Sequence, residues 1–309
     1  MHAGDRLFAT IFDVFDASPA LDEVFFNGAD VAASGSFRGE PTLRQNLIPC
    51  LDSFFGSSLA VLDWLQDLAT ACNSRLDPMF PSAGGNVPER AARWHALFPP
   101  LVRNGPVFTV RRNRFASLTL DDFAIPDVLR VALLEHLQRG GSLLVSGPTG
   151  SGKSSFVAAI LRQFFSSRRM VIIETVEELG SLSTNFLNMV VRPPNLAGAG
   201  AVTANWLFEE ALRLRPDGIV IGEIRGLEAS AFCSAVTSGH PSCFSTIHAG
   251  DVDQARWRLG WLAGLTGITE MAARTEMAGL TGMVIQLARA ETQASVPAVV
   301  GFGPLSRLQ

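Results

Sequence analysis

One short stretch of the sequence combines glycines, hydroxyls and a lysine in an order suited to holding phosphate. The order GPTGSGKS occupies positions 147–154, after the apolar strand-like segment Leu143–Ser146 and before a predicted helix at about 152–165. This is GxxxxGK[ST] in the strand, loop and helix context that the pattern requires. Glycines let successive backbone N–H groups point at an anion, and the N-terminus of the next helix adds partial positive charge. A nucleoside triphosphate site is therefore predicted here.

The predicted phosphate loop also assigns roles to individual side chains. Lys153 would reach the β- and γ-phosphates of ATP, and the Ser154 hydroxyl would take one Mg²⁺ position. Lys153 is the only lysine in a chain with 25 Lys and Arg residues, which indicates that a compact ammonium is needed there. The predicted nucleotide-binding residues are Gly147, Pro148, Thr149, Gly150, Ser151, Gly152, Lys153, Ser154 and Ser155.

A carboxylate follows an apolar strand further along the chain. The letters RPDGIVIGEIRG span 215–226, with a predicted strand at 219–222 that ends next to Glu223. Ligands of open α/β sheets bind at the carboxyl ends of the strands. Glu223 is therefore predicted to act as a general base or to orient an attacking or Mg²⁺-bound water. The alternative is a carboxylate that only caps the next helix.

Two histidines are predicted to lie near the same edge. His240 and His248 stand in TSGHP (237–241) and STIHA (245–249). They could sense the phosphate state of the nucleotide, or they could be hydrogen-bonded structural histidines, since imidazole suits both roles at neutral pH.

These motifs closely resemble those of the secretion ATPase superfamily, which includes GspE, PilT and the type IV secretion ring ATPases. The segment LRLRPDGIVIGEIRG resembles the family's Walker B segment, 237–249 resembles its His box, and IETVEEL at 173–179 resembles its acidic IEDTxEL box. The segments 21–28, 93–100 and 108–112 are similar to motifs of the family's N-terminal domain. The sequence GEIRG favours the type IV secretion and Tad/Flp pilus branch of the family. Two departures are Thr175, where the family usually has Asp, and Ser242, where it usually has Gly.

The resemblance implies further site residues. Glu174 and Glu223 would both contact Mg²⁺ through water. The alternative for Glu174 is a surface ion pair. Arg93, Arg111 and Arg112 could meet the γ-phosphate as arginine fingers, or they could be solvated arginines on an edge strand. Arg213 and Arg225 lie inside the Walker B segment. They could take part in the site, or they could form salt bridges at an interface.

Composition and periodicity predict an α/β protein with two domains. The chain has 309 residues, 47% hydrophobic and 17% charged, and a net charge of -4. We expect a small α+β N-terminal domain (1–112), a linker (113–118) and a RecA-like P-loop domain with a mostly parallel sheet (119–309). A helix is predicted at 5–17, β-hairpins at 21–40, a long helix at about 42–73, a loop at 77–88 and strand-like pieces near 93–98 and 107–111. Trp257 and Trp261 are predicted to pack in a core, with Leu265 another four positions on.

The sequence shows no signal peptide and no apolar run long enough for a membrane span. We therefore expect a cytoplasmic protein that reaches the inner membrane only through partners. The resemblance implies a homo-hexameric motor that hydrolyses ATP with Mg²⁺ and powers secretion or pilus assembly with inner-membrane proteins. The alternatives are a RecA-like nucleic-acid motor, a scaffold that binds ATP without hydrolysis, and a small-molecule kinase. The mild acidity of the chain argues against direct nucleic-acid binding.

Overall fold

The chain divides into two compact units. In the computed structural model, one unit comprises Met1–Arg114 with Glu291–Ala294, and the other comprises Phe115–Ala290 with Ser295–Gln309. The structure describes residues 2–37, 43–72, 74–87, 90, 92–112, 118–175, 177–179, 182–192, 199–265, 281–288 and 297–306. The predicted linker at 113–118 lies outside the described residues except for Leu118.

The first unit packs helices against a six-stranded antiparallel sheet. Its strand order is β3-β2-β1-β6-β5-β4. Helix α1 places Leu7, Ile11 and Phe15 on one buried stripe, at the helical spacing that the sequence predicts. Its elements are α1 (Ala3–Ala17), β1 (Leu21–Asn27), β2 (Ala33–Phe37), β3 (Arg44–Ile48), α2 (Leu51–Phe55), α3 (Ser58–Ala71), β4 (Ser82–Asn86), β5 (Ala92–Leu97) and β6 (Val107–Arg112).

The long helix predicted at about 42–73 is wrong. The segment forms strand β3 and two separate helices, because two residues interrupt the helical pattern. Pro49 lacks an N–H for a helical hydrogen bond, and Gly56 ends α2 in a left-handed conformation (φ 83°). Ser57 then starts α3 by accepting the N–H of Ala60.

The loop predicted at 77–88 contains strand β4. Its sequence, SAGGN, carries no apolar alternation, so only its pairing with β5 makes it a strand. Close packing explains the small side chains of this strand, since a Cβ on Gly84 would lie 2.9 Å from the carbonyl oxygen of Trp94.

The second unit is built on a seven-stranded sheet. Its order is β13-β12-β7-β11-β10-β8-β9, and all neighbours are parallel except β12 and β13. Its elements are α4 (Asp127–Gln138), β7 (Leu143–Ser146), α5 (Lys153–Phe164), β8 (Met170–Glu174), β9 (Phe186–Val190), α6 (Ala204–Arg213), β10 (Gly218–Ile224), α7 (Glu228–Thr237), β11 (Cys243–Ile247), α8 (Val252–Gly264), β12 (Met283–Ala288) and β13 (Ala298–Pro304). The predicted α/β class with a mostly parallel sheet is confirmed.

Both faces of this sheet are covered by apolar side chains. On one face, here the α5 face, Val145 and Val220 pack with Phe156 of α5. On the other, the α7 face, Leu144 and Ile221 pack with residues of α6, α7 and α8. Burial on both faces explains why the central strands are continuous apolar runs.

The prediction that Trp257 and Trp261 pack in a core is wrong. Their side chains are 64% and 54% exposed, Leu265 is 52% exposed, and the two indoles stack on each other with centroids 6.1 Å apart. A spacing of four shows only that residues share a helix face. In α8 the buried face is instead made by Ala255, Leu259, Leu262 and Ala263. Among the described residues, none of the helices is long and apolar enough to cross a membrane.

Candidate functional site

The loop between β7 and α5 is compact and leaves little room for side chains at its glycines. Gly150 and Gly152 have φ angles of 77° and 83°, which are unfavourable for other residues. A Cβ at Gly147 would lie 2.4 Å from Ser151 Oγ and 2.7 Å from the carbonyl oxygen of Leu287. The chain therefore needs glycine at these positions, and α5 starts directly behind the loop at Lys153.

Lys153 is almost fully buried and faces the loop. It is 6% exposed. Its Nζ donates to the carbonyl oxygens of Gly147 and Pro148, at 3.0 Å each, and to Nδ1 of His248 at 3.1 Å. The ammonium group thus joins the phosphate loop to the end of β11.

His248 continues this connection to Glu223. An ammonium group can only donate, so Nδ1 of His248 accepts and the ring proton is on Nε2. Nε2 lies 2.7 Å from Glu223 Oε1, but this close contact lacks the geometry of a hydrogen bond, and among the described residues Oε1 has no hydrogen-bond partner. Burial and the positive charge of Lys153 lower the pKa of His248, which keeps the imidazole neutral in this position. Arg225 Nη2 donates to the other oxygen of Glu223 at 2.6 Å.

The acidic box lies against the same loop. Glu174 ends β8 and is 3% exposed. Its Oε1 accepts the backbone N–H groups of Glu178 (2.9 Å) and Leu179 (3.1 Å), and its Oε2 has no hydrogen-bond partner among the described residues. Burial is the main cause that raises the pKa of Glu174 to about 7.

A second carboxylate, which the sequence analysis did not assign, reaches the predicted metal-binding hydroxyl. Ser154 Oγ donates to Glu178 Oε2 at 2.7 Å. Thr175 turns elsewhere, since its hydroxyl lies 3.4 Å from Glu228 Oε1. The signal for Glu178 was present in the sequence as the last acidic residue of the box, but the side-chain direction was not.

These residues fit Mg²⁺. Mg²⁺ prefers oxygen ligands and keeps most of its waters, so it is held by one or two protein groups together with substrate phosphates. Ser154 Oγ and the Glu178 carboxylate offer oxygen ligands. Glu174 Oε2 is a further buried oxygen, and it has no hydrogen-bond partner among the described residues. Within those residues, no group of three or more His, Cys, Asp or Glu is placed to hold a metal ion.

The structure places His240 far from His248. His240 precedes the first residue of β11 and His248 follows the last, so they lie at opposite edges of the sheet. Five strand residues at ~3.3 Å each separate them by roughly 16 Å. The prediction that both histidines lie near one edge is wrong, because the strand between them was not used to place them.

Ser242 adopts the backbone conformation that the family's usual glycine would favour. Its φ is 56°, it is fully buried, and its N–H donates to Gly140 O at 2.7 Å. Its hydroxyl has no partner in the part of the chain that the structure describes. Ser242 therefore holds a left-handed backbone conformation at a cost in strain.

The predicted arginines lie in several places. Arg93 and Arg111 are direct neighbours across β5 and β6 of the first unit, and Arg111 is 3.4 Å from Glu23. Arg112 pairs with Asp16 and lies over the ring of Phe15. Their roles as arginine fingers stay predictions.

The two arginines of the Walker B segment that the resemblance singled out, Arg213 and Arg225, lie in the second unit. Arg213 forms an ion pair with Glu210 on α6, and Arg225 binds Glu223.

The sequence matches one family model over a large part of its length. Residues 96–294 match the model described as "Type II/IV secretion system protein". The chain belongs to this family. The predicted resemblance to the secretion ATPase superfamily is therefore confirmed.

Curated relatives and solved structures agree with this membership. A protein of Mycobacterium tuberculosis named for conjugal transfer is 32% identical over 244 residues, covering 76% of this chain and 69% of the relative. The type IV secretion system protein PtlH of Bordetella pertussis is 31% identical over 237 residues, covering 66% and 68%. The structure of the ATPase DotB of Legionella pneumophila matches 92% of this family member and 77% of DotB, with a TM-score of 0.62 and 18% identity. At that identity the structural match shows the fold.

Proposed function

We propose that this family member hydrolyses ATP with Mg²⁺ and acts as the motor subunit of a secretion or pilus-assembly machine. The observation that carries the proposal is a series of contacts at the carboxyl edge of the sheet: Lys153 Nζ is hydrogen-bonded to His248 Nδ1, and His248 Nε2 lies 2.7 Å from Glu223 Oε1. These contacts connect the ammonium group that would bind the terminal phosphates with the carboxylate that would orient the attacking water.

The residues divide the work as follows. The N–H groups of 147–154 and the ammonium of Lys153 bind the phosphates, in a low-exposure site where charge interactions are strong. Glu223 orients a water for in-line attack, and Arg225 holds its carboxylate beside His248 by donating to Oε2. When bound, Mg²⁺ offsets negative charge on the phosphates; Ser154 would hold it directly, and Glu223, Glu174 and Glu178 through water.

The wider assignment rests on the family. We propose a closed homo-hexameric ring, since rings form by head-to-tail contacts that close, with a cytoplasmic position at the inner membrane and membrane-bound secretion or pilus-assembly proteins as partners. PtlH is named as a type IV secretion system protein and DotB as an ATPase, which supports this proposal.

Two variants test the activity. Lys153→Ala should abolish ATP binding and turnover. Glu223→Gln should keep ATP binding and reduce phosphate release by about 100-fold or more, as expected for loss of a group acting in the transition state. Phosphate release and binding of a fluorescent ATP analogue are measured on purified protein, and normal turnover by Glu223→Gln would remove this residue from the mechanism.

The same assay separates the alternatives. ATP binding without phosphate release by the wild type would support a scaffold. Release that depends on added DNA, with a steep dependence on salt, would support a nucleic-acid motor.

A further inference from the structure

Strand β10 contains an extra residue immediately before Glu223. In its parallel pairing with β11, Ile221 lies opposite Ser245 and the next pair is Glu223 with Thr246. Gly222 has no place in this register and forms a β-bulge. A bulge bends a strand and redirects the side chains that follow it.

The bulge changes the face on which Glu223 lies. Side chains of a strand alternate between faces, and here Val220 belongs to the α5 face and Ile221 to the α7 face. Strict alternation would put Glu223 on the α7 face with Ile221. Instead Ile224 joins the α7 face, and Glu223 contacts His248. The extra residue therefore moves the carboxylate to the side of the phosphate loop.

A hydroxyl on β11 holds this bulge. An extra residue removes a carbonyl from the ladder, and a buried carbonyl without a partner is costly. Thr246 is 3% exposed, and its Oγ1 donates to Gly222 O at 3.2 Å. Thr246 and Phe244 are two positions apart, so Thr246 shares the α5 face. On the opposite face, the hydroxyl of Ser245 donates to Ile221 O and lies 3.5 Å from Gly222 O, farther than the hydroxyl of Thr246.

The bulge position also requires a residue without a side chain. A Cβ on Gly222 would lie 3.0 Å from Cγ of Glu174. Because β8 and β10 are paired neighbours, Gly222 lies directly against Glu174 at the ends of these strands.

We propose that Thr246 is a positioning residue that aims Glu223. Its hydroxyl fixes the Gly222 carbonyl, the fixed bulge turns Glu223 onto the α5 face, and His248 then receives the carboxylate. The inference rests on the proposed function in so far as Glu223 orients the attacking water. Thr246 acts through Glu223 and is assigned no contact with nucleotide.

The first test compares two variants of similar size. Thr246→Val keeps the shape and removes the hydroxyl, whereas Thr246→Ser keeps the hydroxyl. Thr70→Val is the matched control, because the Thr70 hydroxyl donates to a backbone carbonyl inside α3. Single-turnover hydrolysis and the Kd of a fluorescent ATP analogue are measured for each.

We expect Thr246→Val to lower the hydrolysis rate by about 10- to 100-fold, the scale of a small misplacement of a reacting group. Its Kd should stay within about threefold, because uniform binding is unchanged. Thr246→Ser should retain most of the rate, and Thr70→Val all of it. A Thr246→Val enzyme that hydrolyses like the wild type would overturn the proposal.

The second test asks whether Thr246 acts through Glu223. In a double variant with Glu223→Gln, Thr246→Val should cause no further loss, because there is no longer a base to aim. Losses that add would show that Thr246 has an independent structural role and would overturn the proposal.

A third measurement does not depend on turnover. The ¹⁵N signals of the five histidine rings are recorded, and that of His248 is assigned with His248→Gln. In the wild type it should report a ring whose Nδ1 accepts from Lys153 and whose Nε2 lies against the Glu223 carboxylate. The signal should shift in Thr246→Val, because Glu223 then moves away from Nε2. A wild type that neither binds nor hydrolyses ATP would end the proposed function, whereas an unchanged His248 signal in Thr246→Val would end the proposal for Thr246.

Discussion

The buried carboxyl of Glu174 should make the stability of the protein depend on pH in a predictable direction. Its pKa is raised from 4.5 to about 7, chiefly by burial. Protons therefore bind more tightly to the folded state than to the unfolded one. The stability that Glu174 contributes is fully present below about pH 4.5 and is lost as the pH rises through about 7.

The replacement Glu174→Gln removes this dependence while retaining the shape. The amide oxygen can still accept the N–H groups of Glu178 and Leu179. At about 1.4 kcal/mol per pH unit, the difference between 4.5 and 7 corresponds to roughly 3 kcal/mol in total, of which about 2.5 kcal/mol falls between pH 5 and pH 8. The variant should thus gain roughly 2–3 kcal/mol relative to the wild type over this interval.

The measurement is urea unfolding of both proteins at pH 5, 6, 7 and 8, without Mg²⁺ or nucleotide, so that no added charge acts on Glu174. Glu209→Gln serves as the control, because Glu209 is exposed on α6. The free energy of unfolding of the wild type should fall relative to that of Glu174→Gln as the pH rises, and Glu209→Gln should follow the wild type. A constant difference across the four pH values would refute the assignment of a proton to Glu174 in the folded state.

Three further changes have expected outcomes that follow from local geometry. Ser242→Gly removes a left-handed serine with an unpartnered hydroxyl, and thermal unfolding should show a gain of about 1 kcal/mol. Gly147→Ala should weaken ATP binding strongly, measured by the fluorescent analogue, because its Cβ would collide with Ser151 and Leu287. Trp261→Ser should change the free energy of unfolding by less than about 1 kcal/mol, because the indole is largely exposed.

The phosphate loop was predictable because its chemistry is local. The glycines act through backbone geometry and Lys153 and Ser154 through their side chains, all within eight consecutive residues, so the sequence order carries the arrangement. The edge of the sheet on which Glu223 lies was also predictable, since the carboxyl ends of parallel strands share one edge.

Features that depend on partners distant in sequence were not predictable. Strand β4 exists only through its pairing with β5. The face of α8 that carries Trp257 and Trp261 is set by what packs beneath the helix, and the spacing of the tryptophans is the same whichever face is buried. For His240, position along the chain was mistaken for position in space.

The acidic box shows why a departure from a family motif is best considered together with its neighbours, and the effect of Thr175 on a metal contact stays a prediction. Thr175 suggested that an acidic contact to the metal was lost. In the structure, Glu174 binds the backbone N–H groups of Glu178 and Leu179 and so holds the segment after β8 against the phosphate loop. That position brings the Glu178 carboxylate to the hydroxyl of Ser154. If Mg²⁺ binds at Ser154 as proposed, Glu174 would act on it partly through Glu178, and the effect of a substitution at either residue should depend on the other.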